Sequence, residues 1–185
     1  VVLVDYTGYM DDKDAIYGEL WNDYGVDSLH GYGDYDDSMI FGYAVGKAIE
    51  SFYNTNIKKG SNVVVQAHEW QSGNAALYVK KHLPAVGTIF TTHATSIGRS
   101  IASNGKPLYD YFEGYNGDQM AAELNVQSKQ SVEKVTAANI DCFTTVSEIT
   151  ARECKQLLER ECDVILENGF EKDFVPVGKD FTAKR

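Results

Sequence analysis

The sequence predicts an α/β fold built on an open, mostly parallel sheet with helices on both faces. Two observations predict it. Short, nearly continuous runs of apolar, β-branched and threonine residues recur along the chain, as expected for strands buried on both sides. Between them lie longer segments with helical spacing, and strands separated by helices of that length imply βαβ units and a doubly wound sheet.

The strand runs are Val1–Asp5, Val63–Ala67, Thr88–Thr92, Cys142–Val146 and Val164–Glu167. A helix is expected over Ser38–Tyr53, after the cap-like Asp36-Asp37-Ser38. Its apolar residues (Met39, Ile40, Phe41, Tyr43, Val45, Ile49, Phe52) surround it almost completely, so it should be largely buried. Gly42 and Gly46 form a GxxxG; Lys47 and Glu50 exclude a membrane role, so the pair predicts close packing on a neighbour. The helix Ser72–His82 stops at Leu83-Pro84. Asp118–Ala138 reads as one helix with Leu124, Ser128, Val132, Val135 and Ala138 at helical spacing. Ser147–Arg160 reads as another, with Thr150, Cys154, Leu157 and Leu158 on one stripe. The acidic Tyr/Gly-rich stretch Asp23–Asp37 is the one long loop, and solvated surface is its default role.

Composition excludes several classes. The 185 residues carry a net charge of −10 and 43% hydrophobic residues, the balance of an ordinary globular core. Ten acids and one base, Lys13, fall in residues 1–37; the rest of the chain is nearly balanced, with 17 acids and 16 bases. Without a basic run, neither nucleic acid nor an anionic membrane is an expected partner. No apolar run approaches the roughly 18 residues of a membrane span. The chain opens on Val1-Val2-Leu3-Val4 inside a strand pattern, and is expected to be a piece of something longer. Cys142, Cys154 and Cys162 are an odd count without a CxxC pair, so free thiols in a reducing cytoplasm are expected.

Ligands of open α/β sheets bind beyond the carboxyl ends of the strands. At those ends the sequence places His68-Glu69-Trp70, His93, Ser147 and Asn168-Gly169. Four consecutive strands thus deliver hydrogen-bonding groups to one edge. Simpler roles stand beside each. Ser147 is an N-cap by position, and Asn168-Gly169 a turn. His68 suits a satisfied buried imidazole. Trp70 suits either the core or, beside a carboxylate, the face of a sugar. His93 lies in Thr-Thr-His-Ala-Thr, a poor core filler because each buried hydroxyl or imidazole needs a partner. No strand leads into GxGxxG, no GxxxxGK[ST] or GxSxG occurs, and His68 and His93 lack an ordered set of further ligands. No cofactor and no metal is therefore expected.

The segment Thr88-Ile89-Phe90-Thr91-Thr92-His93-Ala94-Thr95, followed by Gly98-Arg99, resembles the eukaryotic-type glycogen synthases. So do Ala67-His68-Glu69-Trp70, Gly18-Glu19-Leu20-Trp21, Phe143-Thr144-Thr145-Val146-Ser147 with Ile149-Thr150-Ala151, and Asn168-Gly169-Phe170. Order and spacing agree over residues 1–175. The chain departs from the family pattern at Gln66, where a histidine is usual, and at Gln71-Ser72, where Leu-Ala is usual.

The resemblance implies a retaining glucosyltransferase of the GT-B type, in which two Rossmann-like domains face each other across a cleft. Residues 1–175 would be most of the N-terminal, acceptor-side domain, and 176–185 the start of the interdomain region. By position, His93 would contact the donor glucose through its imidazole and its backbone carbonyl. Glu69, with His68 and Trp70, would shape the acceptor or sugar subsite; Arg99 would lie nearby, and Asn168-Gly169 at the cleft floor. The implied partners are an α-glucan acceptor, glycogen or maltooligosaccharide, and a nucleotide-glucose held by the C-terminal domain beyond this chain. A cytoplasmic protein is implied, with this segment inactive alone. The alternative is a glycosyltransferase-like domain that binds glycan without catalysis.

Overall fold

The computed structural model describes residues 1–169; residues 170–175 of the expected domain and the expected 176–185 tail lie outside the described residues. A short 3-10 helix, Thr7–Asp12, leads into α1 (Lys13–Tyr24) and then α2 (Tyr35–Asn56). Strand β1 (Val64–His68) is followed by α3 (Gly73–His82), β2 (Gly87–Thr92) and α4 (Ser96–Ser103). Helices α5 (Gly117–Glu123) and α6 (Gln127–Asn139) precede β3 (Cys142–Thr145), α7 (Glu148–Leu157) and β4 (Val164–Ile165).

The four strands form one open sheet, all parallel, in the order β1-β2-β3-β4. Because the order never reverses, the doubly wound arrangement is not present among the described residues. Right-handed crossovers that always step the same way return each helix to the same face. That face carries Ala67, Phe90 and Phe143, which pack with Ala76 of α3, Ala137 of α6 and Cys154 of α7. On the opposite face Val64 and Val164 of the two edge strands are exposed, whereas Thr91 and Thr144 of the central strands are buried.

Val1–Asp5 forms no strand, which corrects the first of the five strand expectations. A strand needs a partner, and none is paired with it here. Asp5 instead turns the chain, its carboxylate accepting from the Thr7 N–H (3.0 Å) and hydroxyl (2.7 Å). The expected 118–138 helix is two helices, broken where Asn125 takes a left-handed φ of 57°. The acidic stretch is partly structured: Asp36 pairs with Lys13 (2.8 Å) and accepts from the Tyr17 hydroxyl (2.7 Å), while Asp34 pairs with Lys129 (2.6 Å).

The GxxxG of α2 packs as the sequence predicts. A Cβ at Gly42 would sit 3.0 Å from Asn74 Cβ, and one at Gly46 would sit 2.5 Å from the Tyr78 ring. Asn74, buried in α3, closes the contact by donating to the Met39 carbonyl at 2.6 Å. Gly46→Ala is therefore expected to destabilise the fold by about 1–3 kcal/mol, read as a lowered urea midpoint at unchanged slope.

Candidate functional site

The parallel register brings the ends of β1 and β2 side by side, with His68 opposite Thr91 and His93 one residue past β2. There His68 Nδ1 and His93 Nε2 lie 3.1 Å apart, one donating and the other accepting. Two imidazolium rings could not face each other in this way, since both would offer protons.

Glu69 is the hinge of the cluster. Its φ of 63° and ψ of 162° fall in a region that only glycine occupies readily, and that costs a side-chain-bearing residue about 1–3 kcal/mol. The surroundings hold it there. Its N–H donates to the Thr91 carbonyl (2.9 Å), and its own carbonyl accepts from the Ser72 hydroxyl (3.1 Å). One carboxylate oxygen accepts from the His93 N–H at 2.8 Å, the other from the Arg99 guanidinium at 3.2 Å. Strain of this kind concentrates where geometry matters to chemistry. Glu69→Gly should relieve it, so that variant is expected to be more stable than Glu69→Ala by about 1 kcal/mol, the reverse of the usual order; paired denaturation curves check this.

Helix α4 begins at the same place. Thr95 is its N-cap, the hydroxyl accepting from the Gly98 N–H at 2.9 Å, so α4 starts three residues beyond His93 and carries Arg99 in its first turn. Ser147 caps α7, accepting from the Thr150 N–H at 3.2 Å; the Thr150 hydroxyl in turn donates to the His93 carbonyl at 3.3 Å.

The structure thus brings His68, Glu69, His93 and Arg99 together. Trp70 does not join them. Its ring is 5% exposed, stacks on Tyr35 with centroids 6.0 Å apart, and has the Lys129 ammonium 4.9 Å from its centre. Asn168 and Gly169 are exposed beyond β4, with no hydrogen bond to the cluster among the described residues. Two residues that the sequence reading did not single out lie directly beneath: Glu133 of α6 and Glu153 of α7, both buried. Burial pushes the Glu133 carboxyl up to about 7, against the Ser96 and Thr92 donors that favour its charged form. Burial also raises Glu153, against donors from Thr95 and Tyr109.

Comparison with known proteins decides the family. The glycogen synthase family pattern matches residues 1–181. The chain belongs to the glycogen synthase family. It is 32% identical over 169 residues to the liver glycogen [starch] synthase of Rattus norvegicus, covering 91% of this chain and 24% of that protein. Over 138 residues it is 37% identical to the glycogen [starch] synthase of Dictyostelium discoideum, covering 75% of this chain and 16% of that protein. The isoform 2 enzyme of Saccharomyces cerevisiae is 32% identical over 170 residues, again covering 24% of its length. The chain therefore spans a quarter or less of these relatives. Among the described residues, no group of three or more His, Cys, Asp or Glu is placed to hold a metal, and no helix is long and apolar enough to cross a membrane.

Proposed function

We propose that this chain is the acceptor-side half of a retaining glucosyltransferase, which moves glucose from a nucleotide-glucose to the non-reducing end of an α-1,4-glucan. The observation that carries the reading is the His68–Glu69–His93–Arg99 cluster at two adjacent strand ends, in a chain of the glycogen synthase family. His93 is the catalytic residue of this reading. Its imidazole meets a hydroxyl of the donor glucose and its carbonyl lies near the anomeric carbon, where positive charge develops as the bond to the phosphate breaks. A dipole already fixed there stabilises that charge without reorganising during the reaction.

Glu69 and His68 line the sugar subsite, and Arg99 orients the Glu69 carboxylate. Trp70 serves the same subsite by anchoring the strained turn to the core. Asn168 and Gly169 lie on the cleft floor, residues 1–175 form the acceptor-side domain, and 176–185 begin the crossing to the donor-side domain. That domain, in the remainder of a protein of the relatives' length, holds the nucleotide. Half a cleft cannot orient both substrates, and orientation supplies about 7–11 kcal/mol to such a step. The segment alone is accordingly inactive, and the whole protein works in the cytoplasm on glycogen or maltooligosaccharide.

The test is glucosyl transfer from labelled UDP-glucose and ADP-glucose onto glycogen, by the full-length protein and by this segment. Transfer by the full-length protein alone supports the reading. A folded full-length protein that binds glycogen and transfers from neither donor would replace it with a non-catalytic glycan-binding domain. Because the mechanism needs no metal ligand from this chain, turnover is expected to be unchanged by a chelator; loss of activity that zinc or magnesium restores would contradict this.

A further inference from the structure

The link from β2 to α4, Thr92 to Ser96, is held by carboxylates from three different elements. Glu69, at the end of β1, accepts from the His93 N–H. Glu133, on α6, accepts from the Thr92 hydroxyl at 3.2 Å and from the Ser96 N–H at 2.8 Å, so one carboxylate grips the link at both ends. Glu153, on α7, accepts from the Thr95 hydroxyl at 2.8 Å and from the Tyr109 hydroxyl at 3.3 Å. Between the two ends gripped by Glu133 sits His93.

Stability alone gives no reason for an acid at position 133. Glu133 is 0% exposed, and among the described residues neither it nor Glu153 forms an ion pair with a lysine or arginine. Its neighbours on α6, Val132, Thr136 and Ala137, are buried, so an apolar side chain there would avoid the cost of desolvating a carboxylate. What an apolar side chain could not do is accept two hydrogen bonds from the link. The surroundings are shaped to admit such acids: a Cβ at Gly98 would fall 2.0 Å from Glu153 Oε1, so only glycine leaves room for that carboxylate beneath α4. The Ser96 N–H belongs to the first turn of α4, where a negative group is also favoured by the helix dipole.

We propose that Glu133 is a positioning residue for His93: by holding Thr92 and Ser96 together, its carboxylate sets the direction of the His93 carbonyl and imidazole. This rests on the glucosyltransferase reading above, and the effect on turnover is transmitted through the link, since Glu133 reaches no substrate itself. The sequence signal was a glutamate next to Val132 of the α6 stripe, easily mistaken for a surface charge.

The test compares Glu133→Leu and Thr92→Val with the wild type in the full-length protein. Hydrogen exchange of amides 93–98 is measured alongside kcat and KM for glycogen. Glu133→Leu is expected to speed exchange in that link, with β3 unchanged, and to lower kcat by about 10–100-fold at unchanged KM, the signature of misplacement rather than lost binding. Glu133→Gln keeps an acceptor for Ser96 and should recover most of the loss. If Glu133→Leu does not fold, Thr92→Val decides. It removes only the hydroxyl partner, and is expected to speed exchange and lower kcat in the same sense. Unchanged exchange, or faster exchange with unchanged kcat, in the variant that decides would overturn the proposal. If the wild type transfers no glucose, the functional reading fails separately, and exchange alone then decides whether Glu133 holds the link.

Discussion

Replacing His93 with alanine in the full-length protein is expected to lower glucosyl transfer by about 10²–10³-fold, the usual consequence of losing a preorganised transition-state contact. The loss should fall on kcat more than on KM, because a contact that strengthens as charge develops adds little to ground-state binding. The substitution is well suited to separate chemistry from folding. The Glu69 carboxylate binds the His93 main-chain N–H and the Thr150 hydroxyl binds the His93 carbonyl, and alanine retains both groups. The imidazole is only half-buried, and among the described residues its side-chain partner is His68. Thermal or urea unfolding of the variant should therefore match the wild type closely. Activity within about threefold of wild type would remove His93 from the catalytic role, since the contact would then be worth less than an ordinary hydrogen bond.

The site was legible in the sequence to the extent that it depends on strand ends. Apolar runs mark where β1 and β2 stop, and the residues that follow, His68, Glu69 and His93, fall together because adjacent parallel strands align their carboxyl ends. Ser147 likewise caps its helix as its position suggests. Part of what failed depends on a neighbour distant in the sequence. Val1–Asp5 has the composition of a strand, yet pairing rather than composition makes one. Helix α4 went unread because Gly98 and its serines resemble a loop, although Ile97 and Ile101 stand one turn apart and Thr95 is a good cap. The break at Asn125 had a local signal, asparagine's tolerance of the left-handed region, but the Leu124-to-Val132 spacing outweighed it. Trp70 shows the converse limit. Its place beside Glu69 in the chain says nothing of direction, and the strained turn sends the indole into the core with Tyr35 while the carboxylate faces His93. The buried glutamates were the hardest to see, because an acid on a helix is read as solvated unless its partners are known.

Those partners make the stability of the domain depend on pH in a sense opposite to that of a salt-bridged carboxylate. Glu133 has its folded pKa pushed up to about 7 from an ordinary 4.5, by burial first of all, with the Glu69 charge adding to it. The groups facing it are the Thr92 hydroxyl and Ser96 N–H, which oppose the shift, and Glu153 and Cys154 of α7, both themselves raised by burial. The native state therefore binds the proton more tightly than the unfolded chain. Its contribution to stability is fully present below about pH 4.5 and is lost as pH rises through about 7. The difference corresponds to about 3 kcal/mol. Glu133→Gln cannot titrate, so between about pH 4 and about pH 8 the wild type should lose about 3 kcal/mol relative to this variant in urea unfolding, with other titrating groups cancelling in the comparison. A wild-type-minus-variant difference that stays flat with pH would mean that Glu133 ionises at its ordinary value. The slope runs against function. The carboxylate that accepts from both Thr92 and Ser96 is the charged form, so the pH range in which Glu133 best fixes His93 is the range in which keeping it buried costs the most.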